Sequence, residues 1–136
     1  MIGLVLVTHG RLGAEYLSVL EHIMGPQAQA TAVEIGPNDD GEERRQAIIK
    51  AVDSTDSGQG VIVLTDMFGG TPCNVAVSLM GREGVDVIAG VNLPMLLRLG
   101  SVRETATLSF AVTAACEAGR KYINVASALL AERKEK

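Results

Sequence analysis

The chain has no tryptophan, and its 136 residues carry four aromatic rings, on Tyr16, Phe68, Phe110 and Tyr122. A core for a domain of this size must therefore be aliphatic, which suits Val/Ile/Leu-rich buried strands covered by Ala-rich helices. Cysteine is equally scarce. Cys73 and Cys116 lack Cys-x-x-Cys spacing and a secretory context, which argues against a disulfide framework or a zinc site and for reduced thiols. Positive charge is in deficit, with 12 Lys and Arg against 16 Asp and Glu for a net charge of −4. Such a chain offers no broad basic surface for nucleic acid or anionic lipid. No apolar run approaches the roughly 18 to 20 residues of a membrane span, and the amino terminus opens in a strand pattern rather than a signal peptide. These absences predict a single soluble, cytoplasmic domain over residues 1–136.

What is present is a regular alternation. Ile2 to Val7 is apolar and rich in β-branched residues, as in a strand buried on both faces. Leu12, Tyr16, Val19, Leu20 and Ile23 then recur at helical spacing until Gly25-Pro26. Thr31 to Ile35 reads as a second strand, and Asn38-Asp39-Asp40 offers caps for a helix burying Ala47, Ile48, Ala51 and Val52. A third strand spans Val61 to Thr65, followed by a helix from Thr71-Pro72 through Met80, and a fourth strand spans Val85 to Ala89. A short helix begins at Asn92-Leu93-Pro94 and ends near Gly100, and Thr105 to Ala118 forms another. By pattern alone, Lys121 to Ala126 fits either a strand or a helix, and residues 132–136 form a charged tail.

Four strands alternating with helices predict an α/β fold: an open parallel sheet in the order 2-1-3-4 with helices on both faces. In that order strands 1 and 3 are neighbours, and ligands bind at their carboxyl ends. Strand 1 ends in Thr8-His9-Gly10, and strand 3 leads into Asp66-Met67-Phe68-Gly69-Gly70-Thr71-Pro72. Adjacent strands lie about 4.8 Å apart, so His9 and Asp66 can meet. A carboxylate on one ring nitrogen fixes the tautomer and leaves the other nitrogen as a nucleophile. Gly69 and Gly70 let backbone N–H groups approach an anion, the following helix points its positive end at the crevice, and Thr71 adds a hydroxyl. A nucleophilic histidine facing an oxyanion cradle, with neither metal nor cofactor implied, points to a phosphoryl group that is accepted and passed on. Cys73 reads as a bystander thiol, His22 as a structural residue of the first helix, and Asn92 to Met95 as a neighbour of the crevice.

Three blocks, "LVLVTHG" ending in His9, "VLTDMFGGTPCN" from Val63 to Asn74 and "VIAGVNLPML" from Val87 to Leu96, make the whole chain resemble the IIA component of the mannose family of the sugar phosphotransferase system. The resemblance implies a phosphotransferase in which His9 accepts a phosphoryl group from HPr and donates it to a IIB-type protein. Asp66 would orient the ring, with Gly10, Phe68, Gly69, Gly70 and Thr71 around the phosphoryl group and the partner. The family often has serine where this chain has Thr71. It further implies a homodimer exchanging a carboxyl-terminal antiparallel strand, here Lys121 to Ala126, and contact with a membrane only through a permease complex. Because the chain stops at Lys136, it reads as a standalone IIA.

Other readings account for less. "THGR" is superficially like a histidine phosphatase, but such a site needs several arginines and a second histidine, and Arg11 is the one nearby cation. The phosphoryl-donor subunit serving dihydroxyacetone kinase looks similar in its amino-terminal histidine, yet the Gly-Gly-Thr-Pro block fits the sugar branch better. A regulator that binds targets according to its phosphorylation state is compatible with transfer.

Overall fold

The computed structural model describes residues 1–135. Four strands, β1 (Gly3–His9), β2 (Ala30–Ile35), β3 (Val61–Thr65) and β4 (Val85–Ala89), form one parallel sheet in the order β2-β1-β3-β4. The helices are α1 (Leu12–Met24), α2 (Gly41–Thr55), α3 (Thr71–Val77), α4 (Leu93–Val102), α5 (Leu108–Lys121) and α6 (Ala126–Glu135). The architecture and strand order are those expected of the sequence.

Strand alternation splits the core in two. Leu4 and Leu6 of β1, with Ile62 and Leu64 of β3, pack with Leu20 of α1, Leu96 and Leu99 of α4 and Ala111 and Ala115 of α5. On the other face Val5, Val7, Val61 and Val63 pack with Ile48 and Val52 of α2 and Ala76 of α3. Full burial of each such Val, Leu or Ile contributes about 1.5 to 3 kcal/mol. His9 extends the Val5–Val7 alternation and so lies on the α2–α3 face, at the carboxyl edge of the sheet.

Local chemistry explains where the elements depart from their expected ends. Beyond Val77 of α3, Leu79 and Met80 donate to carbonyls three residues back, those of Ala76 and Val77, so the backbone tightens into a turn and the helix does not reach Met80. α5 begins at Leu108 rather than Thr105, because Thr107 caps it by accepting from the Phe110 N–H at 3.2 Å. The largest departure is at the carboxyl end. The strand that the resemblance implies over residues 121–126 is not formed: Lys121 completes α5 and Ala126 opens α6. A strand needs a neighbouring ladder, whereas here Val125 C=O already accepts from the N–H groups of Ala128 and Leu129, both at 3.1 Å. Glu132 to Glu135, expected as a tail, continue α6; Lys136 lies outside the described residues.

At the opposite edge of the sheet from His9, Arg103 is 1% exposed. Its Nε–H donates to the Ile2 carbonyl at 3.0 Å, Nη1 to Gln27 Oε1 at 3.2 Å and Nη2 to the Gln29 carbonyl at 2.8 Å. One guanidinium thus joins the lead-in to β1, the lead-in to β2 and the end of α4.

Candidate functional site

His9 and Asp66 meet. His9 Nδ1 lies 2.8 Å from Asp66 Oδ2, and because an ionised carboxylate only accepts, the ring carries its proton on Nδ1. The His9 backbone N–H donates to the same oxygen at 3.1 Å, and the Met67 N–H donates to Oδ1 at 3.1 Å. Those two backbone bonds hold the carboxylate in place independently of the ring. The His9 side chain is 51% exposed and that of Asp66 12%, so the pair presents its histidine outward and keeps its carboxylate inside. Nε2 is left with a lone pair on the open side.

Burial opposes ionisation of Asp66, but the hydrogen bonds from the His9 ring and backbone, the His9 charge and the carboxyl's own backbone bond outweigh it and hold its pKa below the ordinary 3.8. A depressed pKa contributes stability that is present above the ordinary value and is lost as pH falls through the folded-state value. Thermal unfolding of the wild type should therefore depend more steeply on pH below roughly 4 than that of Asp66→Asn. Equal acid limbs would show that the carboxylate gains nothing from its partners.

The turn after β3 supplies the second half of the site. Gly69 has φ +88°, a conformation L side chains rarely adopt, and Gly70 caps α3. A Cβ on Gly70 would stand 2.9 Å from His9 Cε1 and 3.4 Å from Nε2, so the backbone of this turn lies directly against the ring. Thr71 is exposed at the first position of α3, Phe68 is 81% exposed, and Gly10 turns the chain away from His9 with φ +51°. The expected residues thus line one rim of the sheet, carried by the ends of β1 and β3.

Three others fall elsewhere. His22 is in the last turn of α1, at the far end of that helix from His9. Cys73 is buried. The Asn92 amide is engaged in the fold, Oδ1 accepting from the Met95 N–H at 3.1 Å and Nδ2 donating to the Gly119 carbonyl at 2.8 Å.

Sequence reasoning missed Thr8 and Gly13. The fully buried Thr8 hydroxyl accepts from the Gly13 N–H at 2.7 Å and pins the first turn of α1 beside the end of β1. A Cβ on Gly13 would stand 3.1 Å from both Leu6 Cβ and Thr8 Oγ1. A glycine at the second position of a helix that follows a strand was the available signal.

The family profile described as "PTS system fructose IIA component" matches residues 3–116. The mannose-specific EIIAB component of Escherichia coli (strain K12) is 31% identical over 97% of this chain, which spans 42% of that longer protein. Among solved structures, the phosphotransferase system component EIIA from Streptococcus agalactiae superposes with a TM-score of 0.85 at 26% identity, covering 94% of this chain and 99% of that one. The PTS IIA protein associated with the fucose utilization operon of Streptococcus pneumoniae gives 0.80 at 30% identity, covering 93% and 95%. Matched from β1 into α5 by the profile and across the whole sheet by the structures, the chain belongs to the mannose–fructose family of phosphotransferase-system IIA components.

Proposed function

We propose that this protein is a cytoplasmic phosphocarrier in which His9 Nε2 takes a phosphoryl group from phospho-HPr and passes it to a IIB-type acceptor. The supporting observation is the 2.8 Å bond from His9 Nδ1 to Asp66, which leaves Nε2 as the one unprotonated ring nitrogen on an open rim. In the loading step the Nε2 lone pair forms a bond to phosphorus as the donor's P–N bond breaks, and the departing electron pair returns to the donor imidazole. Asp66 stabilises the positive ring that results. Backbone N–H groups of the Gly69–Thr71 turn face the phosphoryl oxygens, and Phe68 is the apolar anchor for the incoming protein. The test is intact-mass analysis after incubation with phosphoenolpyruvate, enzyme I and HPr at alkaline pH, where a phosphoramidate survives. One added phosphoryl group, lost in acid, supports the reading; an unmodified protein with active HPr overturns it.

Gly70→Ala should slow loading by about 10- to 100-fold, because the new methyl group displaces the ring from Asp66. Wild-type rates in rapid-quench transfer would show that the ring has room to move.

We also propose that the chain works as a homodimer. Tyr122, Ile123, Val125, Leu129 and Leu130 are all exposed, and β4 is an edge strand of the sheet. Sedimentation equilibrium should give a dimer, and truncation before Lys121 a monomer. A monomeric full-length chain would refute the pairing.

A further inference from the structure

The absent side chain of Gly70 marks a point that two residues, His9 and Met67, border. It lies 2.9 Å from His9 Cε1, 3.4 Å from His9 Nε2 and 3.5 Å from Met67 Cγ. The stem of Met67 and the Nε2 edge of the imidazole thus border the same point on the turn. Asp66 holds both residues: Oδ2 accepts a hydrogen bond from the ring Nδ1–H, and Oδ1 accepts from the Met67 N–H at 3.1 Å. Met67 is nevertheless 55% exposed, so its side chain reaches solvent on the rim that carries His9 rather than filling the core.

We propose that Met67 is a positioning residue that keeps attacking water away from phosphorylated His9 and so lengthens the life of the phosphoryl group between donor and acceptor. This rests on the phosphocarrier reading above. Phosphohistidine has two competing fates. In productive transfer an acceptor nucleophile takes the phosphoryl group and the P–N electron pair returns to Nε2. In the wasteful path a water oxygen bonds to phosphorus, the same P–N bond breaks, inorganic phosphate leaves and the surplus proton goes to solvent.

A methionine side chain offers no donor and only a weak acceptor, so it cannot hold a water in line with the P–N bond. Its three rotatable bonds let an arriving protein push it aside, whereas a lone water gains nothing by doing so. The device therefore separates the two fates: it hinders a small polar nucleophile and yields to a macromolecular one. Serine at this position would put a hydroxyl where Met67 Cγ stands, bordering the point that Nε2 also borders and able to orient water. Leucine would restore the apolar flank without the sulfur.

The experiment loads wild type, Met67→Ser and Met67→Leu with potassium phosphoramidate, a small donor that phosphorylates imidazole without HPr. Decay of the phosphorylated mass is then followed at mildly alkaline pH. Serine should shorten the half-life about threefold or more, with leucine close to wild type. Circular dichroism should be the same for all three, since Met67 is exposed. Equal half-lives, or a loss in leucine as large as in serine, would overturn the role of Met67. Loading by phosphoramidate but not by phospho-HPr would instead overturn the phosphocarrier reading and leave the half-life comparison valid.

Discussion

His9→Ala is expected to abolish labelling by phospho-HPr while leaving the fold intact. Transfer falls to background because the accepting atom is gone, not merely misplaced. The fold survives because the ring is half exposed and because Asp66 keeps two backbone donors, the His9 and Met67 N–H groups. Stability should change by less than about 1 kcal/mol, the usual range for an exposed substitution. His22→Ala, at the far end of α1, should label normally and serves as the control. Acid-labile phosphate retained on the His9 variant would remove this residue from the mechanism. Unfolding of the variant would instead make His9 a structural residue.

Arg103→Met should produce the largest loss of stability of any substitution considered, at the end of the sheet away from His9. Burial pushes the guanidinium pKa down and Glu104 pulls it back, and the charge is held by neutral acceptors alone. Methionine keeps much of the apolar stem but removes all three donors, stranding the Ile2 carbonyl and the Gln27 Oε1 and leaving the Gln29 carbonyl with the Leu4 N–H alone. Each hydrogen bond to a charged group contributes about 1.5 to 3 kcal/mol, so the expected loss is about 3 to 5 kcal/mol after partial relaxation. That is a large share of the roughly 5 to 15 kcal/mol available to a domain and corresponds to a fall in Tm of about 10 °C or more. The folded remainder should still accept phosphoryl groups normally at low temperature. A Tm within about 2 °C of wild type would mean that water or nearby side chains replace the guanidinium without cost.

The legible parts of the fold were those set by local pattern. β3 and β4 fall where their apolar runs predict, Asp40 and Asn92 cap helices as expected, and the alternation of strands and helices was enough to give the order β2-β1-β3-β4. Juxtaposition of His9 and Asp66 was legible for the same reason, since both end adjacent strands. Illegible were contacts that depend on how elements approach: Gly70 against the His9 ring and the Thr8–Gly13 bond. Arg103 was invisible altogether, because an arginine after a helix reads as exposed until the lead-ins to β1 and β2 meet its guanidinium.

Taken by itself, the sequence determined the α/β class, the strand order and the pair of strand ends that bring His9 to Asp66. Periodicity and turn residues are properties of neighbours along the chain, and a parallel sheet has few ways to arrange them. Tertiary structure alone decided the tautomer of His9, the absence of room for a side chain at Gly70, and that residues 121–126 link two helices instead of forming a strand. Those depend on distances of a few tenths of an ångström, or on whether a neighbouring ladder is within reach, and no one-dimensional pattern encodes either.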